Sequence, residues 1–325
     1  MNLSIARFKI HLYDIDMSSI LITEFISSQA LETLGAKHEV VYEPDLYKDR
    51  SQLIAALQNI DALIVRNLTR VNEEILEGAS KLRVVGRLGV GLENIDLPAC
   101  SSRNISVIPA TGANAESVAE YVVGAAVTLM RGFVPATHAT LNGEWPRPRF
   151  SSYNECLGKT LGIVGFGSIG RVVAKKAHAF GFRCLAYDPM LQGSSVSLEH
   201  FSVPLMALNE LLAQSDVVTL HLPFLPDTKN LFSANTLEKM KIGACLINTA
   251  RGGIVDELEL AERVRSGRIG GAAIDVFFSE PVKDLHHFIG IENLILTPHI
   301  AGVTHESNER VSQMIADEVN RFLAG

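Results

Sequence analysis

From Ser19 onward, apolar residues fall into two alternating patterns. SILITEF, HEVVYEP, DALIVRN, LRVVGRLGVG and ISVIPATG are short apolar runs rich in β-branched residues, which predicts strands. Between them SSQALETLGA, SQLIAALQNI and VNEEILEGASKL repeat their apolar positions every three or four residues, which predicts helices, with Ser51 and Asn72 as expected N-caps. Strand alternating with helix is the pattern of a parallel sheet covered on both faces. The long apolar segment SVAEYVVGAAVTLMR is expected to be a buried helix at a domain junction, and ATLNGEWPRPRF a loop or arm.

The alternation then restarts. LGIVGFG, RCLAYDP, VVTLHLP, ACLINTA, IGGAAIDVF and NLILTPHI read as strands. RVVAKKAHAFG, LNELLAQSD, ANTLEKMK and ELELAERVRSG read as the helices between them, and HESNERVSQMIADEVNRFLAG as a strongly periodic final helix. Two doubly wound α/β domains are therefore expected, the first over residues 18–113 and the second over 114–304. Residues 1–17 fit neither and are expected to be a peripheral N-terminal extension.

Composition narrows the function classes. The 325 residues are 47% hydrophobic and 20% charged, ample for two cores, and the net charge of −7 gives no support to a nucleic-acid surface. No apolar run reaches the ~18 residues of a membrane span, and the first residues lack a signal-peptide core. The four cysteines, Cys100, Cys156, Cys184 and Cys245, have neither C-x-x-C spacing nor a histidine cluster, so no metal site is expected and each reads as reduced, half-buried filler. A cytoplasmic protein fits these features.

Gly165, Gly167 and Gly170 form G-x-G-x-x-G between a strand and a helix. The first glycine permits the tight turn, the second admits a pyrophosphate to backbone N–H groups at the helix N-terminus, and the third lets helix pack on strand. Asp188 ends the next strand eighteen residues after Gly170, where an acid meets the ribose hydroxyls of NAD. No arginine adjoins it, which favours NAD over NADP.

VGRLGVGLENID, TGANAESVAEYVVG, LGKTLGIVGFGSIGR, HLPFLPDTKN, INTARGGIVDE, AAIDVFFSEP and TPHIAG together resemble the D-isomer-specific 2-hydroxyacid dehydrogenases over roughly residues 20–325, most closely their phosphoglycerate dehydrogenase branch. The resemblance implies that an NAD-binding Rossmann domain, 114–304, is inserted into a flavodoxin-like substrate domain made of 18–113 plus 305–325, with the active site in the cleft between them. It implies a homodimer, with the apolar helix and the Trp145 arm as the interface.

Hydride transfer at C2 of a 2-hydroxy acid needs a cation to orient the carboxylate and a base for the hydroxyl proton. By resemblance Arg251 is that cation, His299 the acid/base and Glu280 its partner, a carboxylate that favours imidazolium and fixes the tautomer. The resemblance also assigns backbone N–H groups of Ser168 and Ile169 to the pyrophosphate. It assigns Val90, His221, Leu222, Pro223, Thr249, Ala250, Arg251, His299 and Gly302 to the cofactor surface, and Asp275 to the nicotinamide carboxamide. Asn67, Val90 and Gly91 are expected at the substrate, with Arg251 and His299.

Arg66 and Arg87, with Arg147 reaching in from a partner subunit, imply a second anionic group on the small-molecule substrate. That makes 3-phosphoglycerate/3-phosphohydroxypyruvate the leading pair, with no C-terminal regulatory domain like that of longer members expected. The alternative is (S)-sulfolactate/3-sulfopyruvate, whose S centre has the D-type arrangement and toward which RLGVGL and ITEF lean. A third reading is an NAD-sensing binding protein of the same fold.

Overall fold

The computed structural model describes residues 17–325, so the expectation for the N-terminal extension lies almost wholly outside the described residues. The chain divides into two compact units: residues 17–114 together with Thr304–Gly325, and Ala115–Val303.

In the first unit five strands, β1 (Ser19–Ile22), β2 (Glu39–Tyr42), β3 (Ala62–Val65), β4 (Val84–Arg87) and β5 (Ser106–Pro109), form a parallel sheet in the order β2-β1-β3-β4-β5. This is the flavodoxin-like order. The central strand β3 is buried along its whole length while the edge strand β2 is largely exposed, as expected for a sheet covered on both faces.

One face is packed by Leu53, Leu57, Ile75 and Cys100. The other is packed by the final helix, His305–Leu323, through Val311, Ile315, Ala316 and Val319. Gly86 of β4 makes room for that helix: a Cβ there would sit 2.7 Å from the Ile315 side chain. The last turn of sequence thus completes the first unit.

In the second unit β6 (Thr160–Val164), β7 (Arg183–Tyr187), β10 (Val217–Leu220), β11 (Cys245–Asn248), β12 (Gly271–Ile274) and β13 (Leu294–Leu296) form a parallel sheet ordered β13-β12-β11-β10-β6-β7. A short antiparallel hairpin, β8 (Ser195–Leu198) with β9 (Phe201–Pro204), follows β7. Helices Ala115–Arg131 and Ser168–Ala179 share a core with one face, and Leu208–Gln214 and Glu257–Arg265 cover the other. Both units are doubly wound, and the second has the Rossmann arrangement, with its strand order reversing between β6 and β10.

Three local expectations change. Asp49, not Ser51, caps the helix Arg50–Ala56: its carboxylate accepts from the Gln52 N–H at 3.0 Å, and Ser51 instead donates its hydroxyl to Asp49. ATLNGEWPRPRF is not all loop, because its first residues end the helix Phe133–Leu141 and Arg147–Phe150 is helical. All four cysteines are buried rather than half-buried, and burial pushes the Cys184 and Cys245 thiols up to about 12.

Among the described residues no single helix is long and apolar enough to cross a membrane. Ala115–Arg131 and Phe133–Leu141 reach that composition only as a pair bent by 58°.

Candidate active site

The glycine-rich turn lies where the strand order of the second unit reverses, the place at which open α/β sheets take their ligands. Gly165 has φ +94°, and a Cβ there would stand 2.5 Å from the His221 carbonyl oxygen. Gly170 faces the Gly165 carbonyl, which a Cβ would approach to 2.3 Å. Gly167 differs: a Cβ there meets nothing within 4 Å, so its surface is open to an approaching group. It is the N-cap of Ser168–Ala179 but provides no side-chain cap, which leaves the Ser168 and Ile169 end of the helix suited to an anion. Asp188 is fixed beside this turn, its carboxylate accepting from Phe166 N–H at 2.8 Å and Met190 N–H at 2.9 Å.

The carboxyl ends of β10 and β11 carry His221 and Thr249. The Nδ1 of His221 and the Oγ1 of Thr249 are sealed from solvent with no hydrogen-bond partner. His221 Nε2 is within 3.0 Å of the Thr219 hydroxyl, and burial depresses this imidazole to about 3, so it is neutral. Open Gly167, an uncapped helix end, a fixed carboxylate and two orphaned polar atoms fit a dinucleotide. Leu222 and Ala250 are buried beside these strand ends, and Pro223 is exposed.

Arg251 follows β11. Its guanidinium donates to the Ala250 carbonyl at 2.7 Å, and Asn248 ties down both the Ala250 N–H and the Arg251 carbonyl. Gly252 must be glycine, since a Cβ would fall 1.8 Å from the Phe277 carbonyl oxygen. The turn carrying Arg251 therefore lies directly against the turn after β12.

That second turn holds Glu280, whose Oε1 accepts from Phe277 N–H at 2.9 Å and whose Oε2 lies 2.6 Å from His299 Nδ1. With Nδ1 so engaged, Nε2 is the ring atom left to exchange a proton with a ligand. His299 has a left-handed backbone, φ +57°, unusual for a residue with a side chain.

Asp275, buried, stabilises that backbone. Its carbonyl accepts from His299 N–H at 2.8 Å, and its carboxylate accepts from Ile300 N–H, Ala301 N–H and the Thr297 hydroxyl. Thr297 is in turn 2.7 Å from the Tyr121 hydroxyl. Asp275 thus organises the His299 turn, a role its expected nicotinamide contact did not include. Gly302 closes the segment, partly buried.

In the first unit a carboxylate that the sequence reading passed over orders the expected substrate loop. Glu24, 3% exposed, accepts from four successive N–H groups, those of Arg66, Asn67, Leu68 and Thr69, at 2.8–3.1 Å. Hydrogen bonds to a charged acceptor are worth about 1.5–3 kcal/mol each, so this loop is firmly shaped. An acid closing the apolar run of ITEF was the available signal.

Arg66 itself is partly buried. It donates to Asn308 Oδ1 at 2.6 Å and lies over the Phe25 ring. Asn67 is exposed, and Arg87, Val90 and Gly91 are half-buried around the end of β4. Arg147 is exposed in the second unit.

The comparisons agree with this architecture. The model of the D-isomer specific 2-hydroxyacid dehydrogenase NAD-binding domain matches residues 123–301. An (S)-sulfolactate dehydrogenase of Chromohalobacter salexigens is 45% identical over 94% of this chain and 99% of its own length. A D-3-phosphoglycerate dehydrogenase of Mycobacterium leprae is 37% identical over 95% of this chain, which spans only 58% of that protein. An NAD-dependent formate dehydrogenase of Staphylococcus aureus, solved with NAD, superposes with a TM-score of 0.77 at 30% identity, covering 94% of this chain and 96% of that one.

The chain belongs to the D-isomer specific 2-hydroxyacid dehydrogenases. It is an NAD-dependent oxidoreductase acting on CH–OH donors.

Proposed function

We propose that this enzyme interconverts (S)-sulfolactate and 3-sulfopyruvate with NAD. The observation that carries the second anionic group is Arg66. Its guanidinium is partly buried, burial lowers its pKa while the Glu24 charge opposes that, and its hydrogen bond goes to the neutral Asn308 while Glu24 makes its own to four backbone N–H groups. A desolvated cation with a neutral partner favours an anionic ligand. The identity to a sulfolactate dehydrogenase across nearly the whole of both chains supports sulfonate as that anion. The second reading is 3-phosphoglycerate, favoured by the 37% identity to phosphoglycerate dehydrogenases.

Arg251 pairs with the substrate carboxylate and orients C2. In the oxidative direction His299 Nε2 takes the hydroxyl proton as the C2–H bond breaks and the carbonyl forms, while Glu280 holds the ring and compensates its charge. Ser168 and Ile169 N–H groups would hold the pyrophosphate of NAD and Asp188 its ribose, and the bound cofactor would supply the hydride acceptor. The Asp188 carboxylate opposes a 2′-phosphate, which favours NAD over NADP. Asn67, Arg87, Val90 and Gly91 complete the substrate side, Arg147 enters from a second copy, and the working unit is a homodimer.

The test is NADH oxidation at 340 nm with 3-sulfopyruvate and 3-phosphohydroxypyruvate in parallel. The expected result is a kcat/KM preference of about two decades or more for 3-sulfopyruvate, the scale set by a well-matched polar site. Arg66→Met should lower kcat/KM for that substrate and spare NADH binding. The reverse preference selects the phosphate reading, and NADH binding without turnover of any 2-keto acid selects a binding protein.

A further inference from the structure

Glu257 stands in the VDE stretch that follows Arg251, and neither hydride transfer nor cofactor binding uses it. It opens the helix Glu257–Arg265, one residue after the N-cap Asp256. Its side chain is 15% exposed, and so is that of His287, whose Nε2 lies 3.7 Å from Glu257 Oε2. That His287 nitrogen has no hydrogen-bond partner, so the contact is not a formed hydrogen bond.

Glu257 Oε1 accepts from the Phe278 N–H at 2.7 Å. The preceding N–H, that of Phe277, donates to Glu280. Two consecutive amides of one turn are therefore held by two carboxylates. One is the partner of His299, and the other is anchored on a helix. The Phe277 carbonyl between those amides rests on Gly252.

We infer that Glu257 is a positioning residue for the reaction: by holding the Phe278 amide it fixes the 277–280 turn and thereby aims Glu280 at His299. It touches no reacting atom. Three titratable groups act on it: His287 draws it toward its charged form, while Asp256 and Glu280 oppose that. Burial is the largest influence and raises the carboxyl above its ordinary value. An alternative role, capping the helix alone, is already filled by Asp256, which accepts from Glu259 N–H. The inference rests on His299 and Glu280 being the acid/base pair.

The test uses the full-length enzyme in the keto-acid reduction direction. Glu257→Gln keeps an acceptor for Phe278 N–H, whereas Glu257→Ala and Glu257→Asp withdraw it, the latter while keeping the charge. The Ala and Asp variants should lose ~10- to 100-fold in kcat, the scale of a catalytic group misplaced by about 1 Å. Their NADH Kd should be unchanged. The alkaline fall-off of kcat/KM should move to lower pH, because an unsupported imidazolium releases its proton more readily.

Glu257→Gln should restore the rate and most of the pH profile. If the Ala variant does not fold, the Asp variant carries the comparison. Lowered Tm with wild-type kcat and an unmoved fall-off in the Asp variant overturns the inference, as does a Gln variant as slow as Ala. His299→Gln separates the two readings. A fall-off that survives in it refutes the acid/base assignment itself, whatever Glu257 does.

Discussion

His221 shows how a single buried side chain writes a pH dependence into the fold. Its ordinary value is 6.5 and burial lowers it to about 3. Below the ordinary value the unfolded chain takes up a proton that the folded chain refuses until the lower one. Its contribution is therefore fully present above 6.5 and is lost progressively as pH falls toward 3. His221→Gln removes that proton uptake. Its urea midpoint should fall less between about pH 7 and about pH 5 than that of the unmodified enzyme. An identical slope would show that the ring is solvated and free to charge. The same residue scale explains why Asp275 was only half legible. The family resemblance marks it in the sequence, but the bonds its carboxylate makes, to Thr297 and to Ile300 and Ala301 N–H, depend on how the following loop returns.

At the scale of elements, the turn from β6 into Ser168–Ala179 was readable because steric necessity leaves few alternatives. Gly170→Ala drives a Cβ to within 2.3 Å of the Gly165 carbonyl and must push the helix off the strand. Overpacking of this kind costs about 1–3 kcal/mol. NADH binding, followed by fluorescence titration, should weaken roughly tenfold to a hundredfold. Affinity equal to wild type would mean the helix N-terminus does not carry the pyrophosphate.

Other elements were less legible. The cap of Arg50–Ala56 fell between two good capping residues two positions apart, Asp49 and Ser51, and only the backbone angle chose Asp49. The β8–β9 hairpin went unseen because its strands are four residues each and its apolar residues, Val196, Leu198, Phe201 and Val203, pack on the adjacent core rather than on a sheet of their own. The helix Phe133–Leu141 has a poorly segregated composition, and its start is set by Gly132, left-handed at φ +60° with the Tyr153 ring against it.

For the whole molecule, assembly is the open consequence. On the second unit Phe133 and Leu141, with Trp145 at 77% exposure just beyond, leave large apolar groups uncovered along one helix and the arm after it. Covering them with a second copy is the simplest way to remove that surface from water. Size-exclusion chromatography with light scattering should give twice the chain mass, and Trp145→Glu should shift it toward one. A monomer for the unmodified chain would remove both the dimer and any role for Arg147 in a partner's site.

The sequence by itself determined the two parallel-sheet units and the dinucleotide turn with its acid, whereas the trio Arg251, Glu280 and His299 was legible only through the family resemblance. The first two are fixed by local rules: hydrophobic period, and glycine geometry with an acid at set spacing. Tertiary structure alone decided what supports them. Glu24 orders residues 66–69 from another strand, the final helix packs over Gly86, and Asp275 and Glu257 hold turns that are distant or unremarkable in the text. The physical reason is that a buried carboxylate must find donors somewhere. Which backbone amides satisfy it depends on the chain's return in space, which no local pattern records.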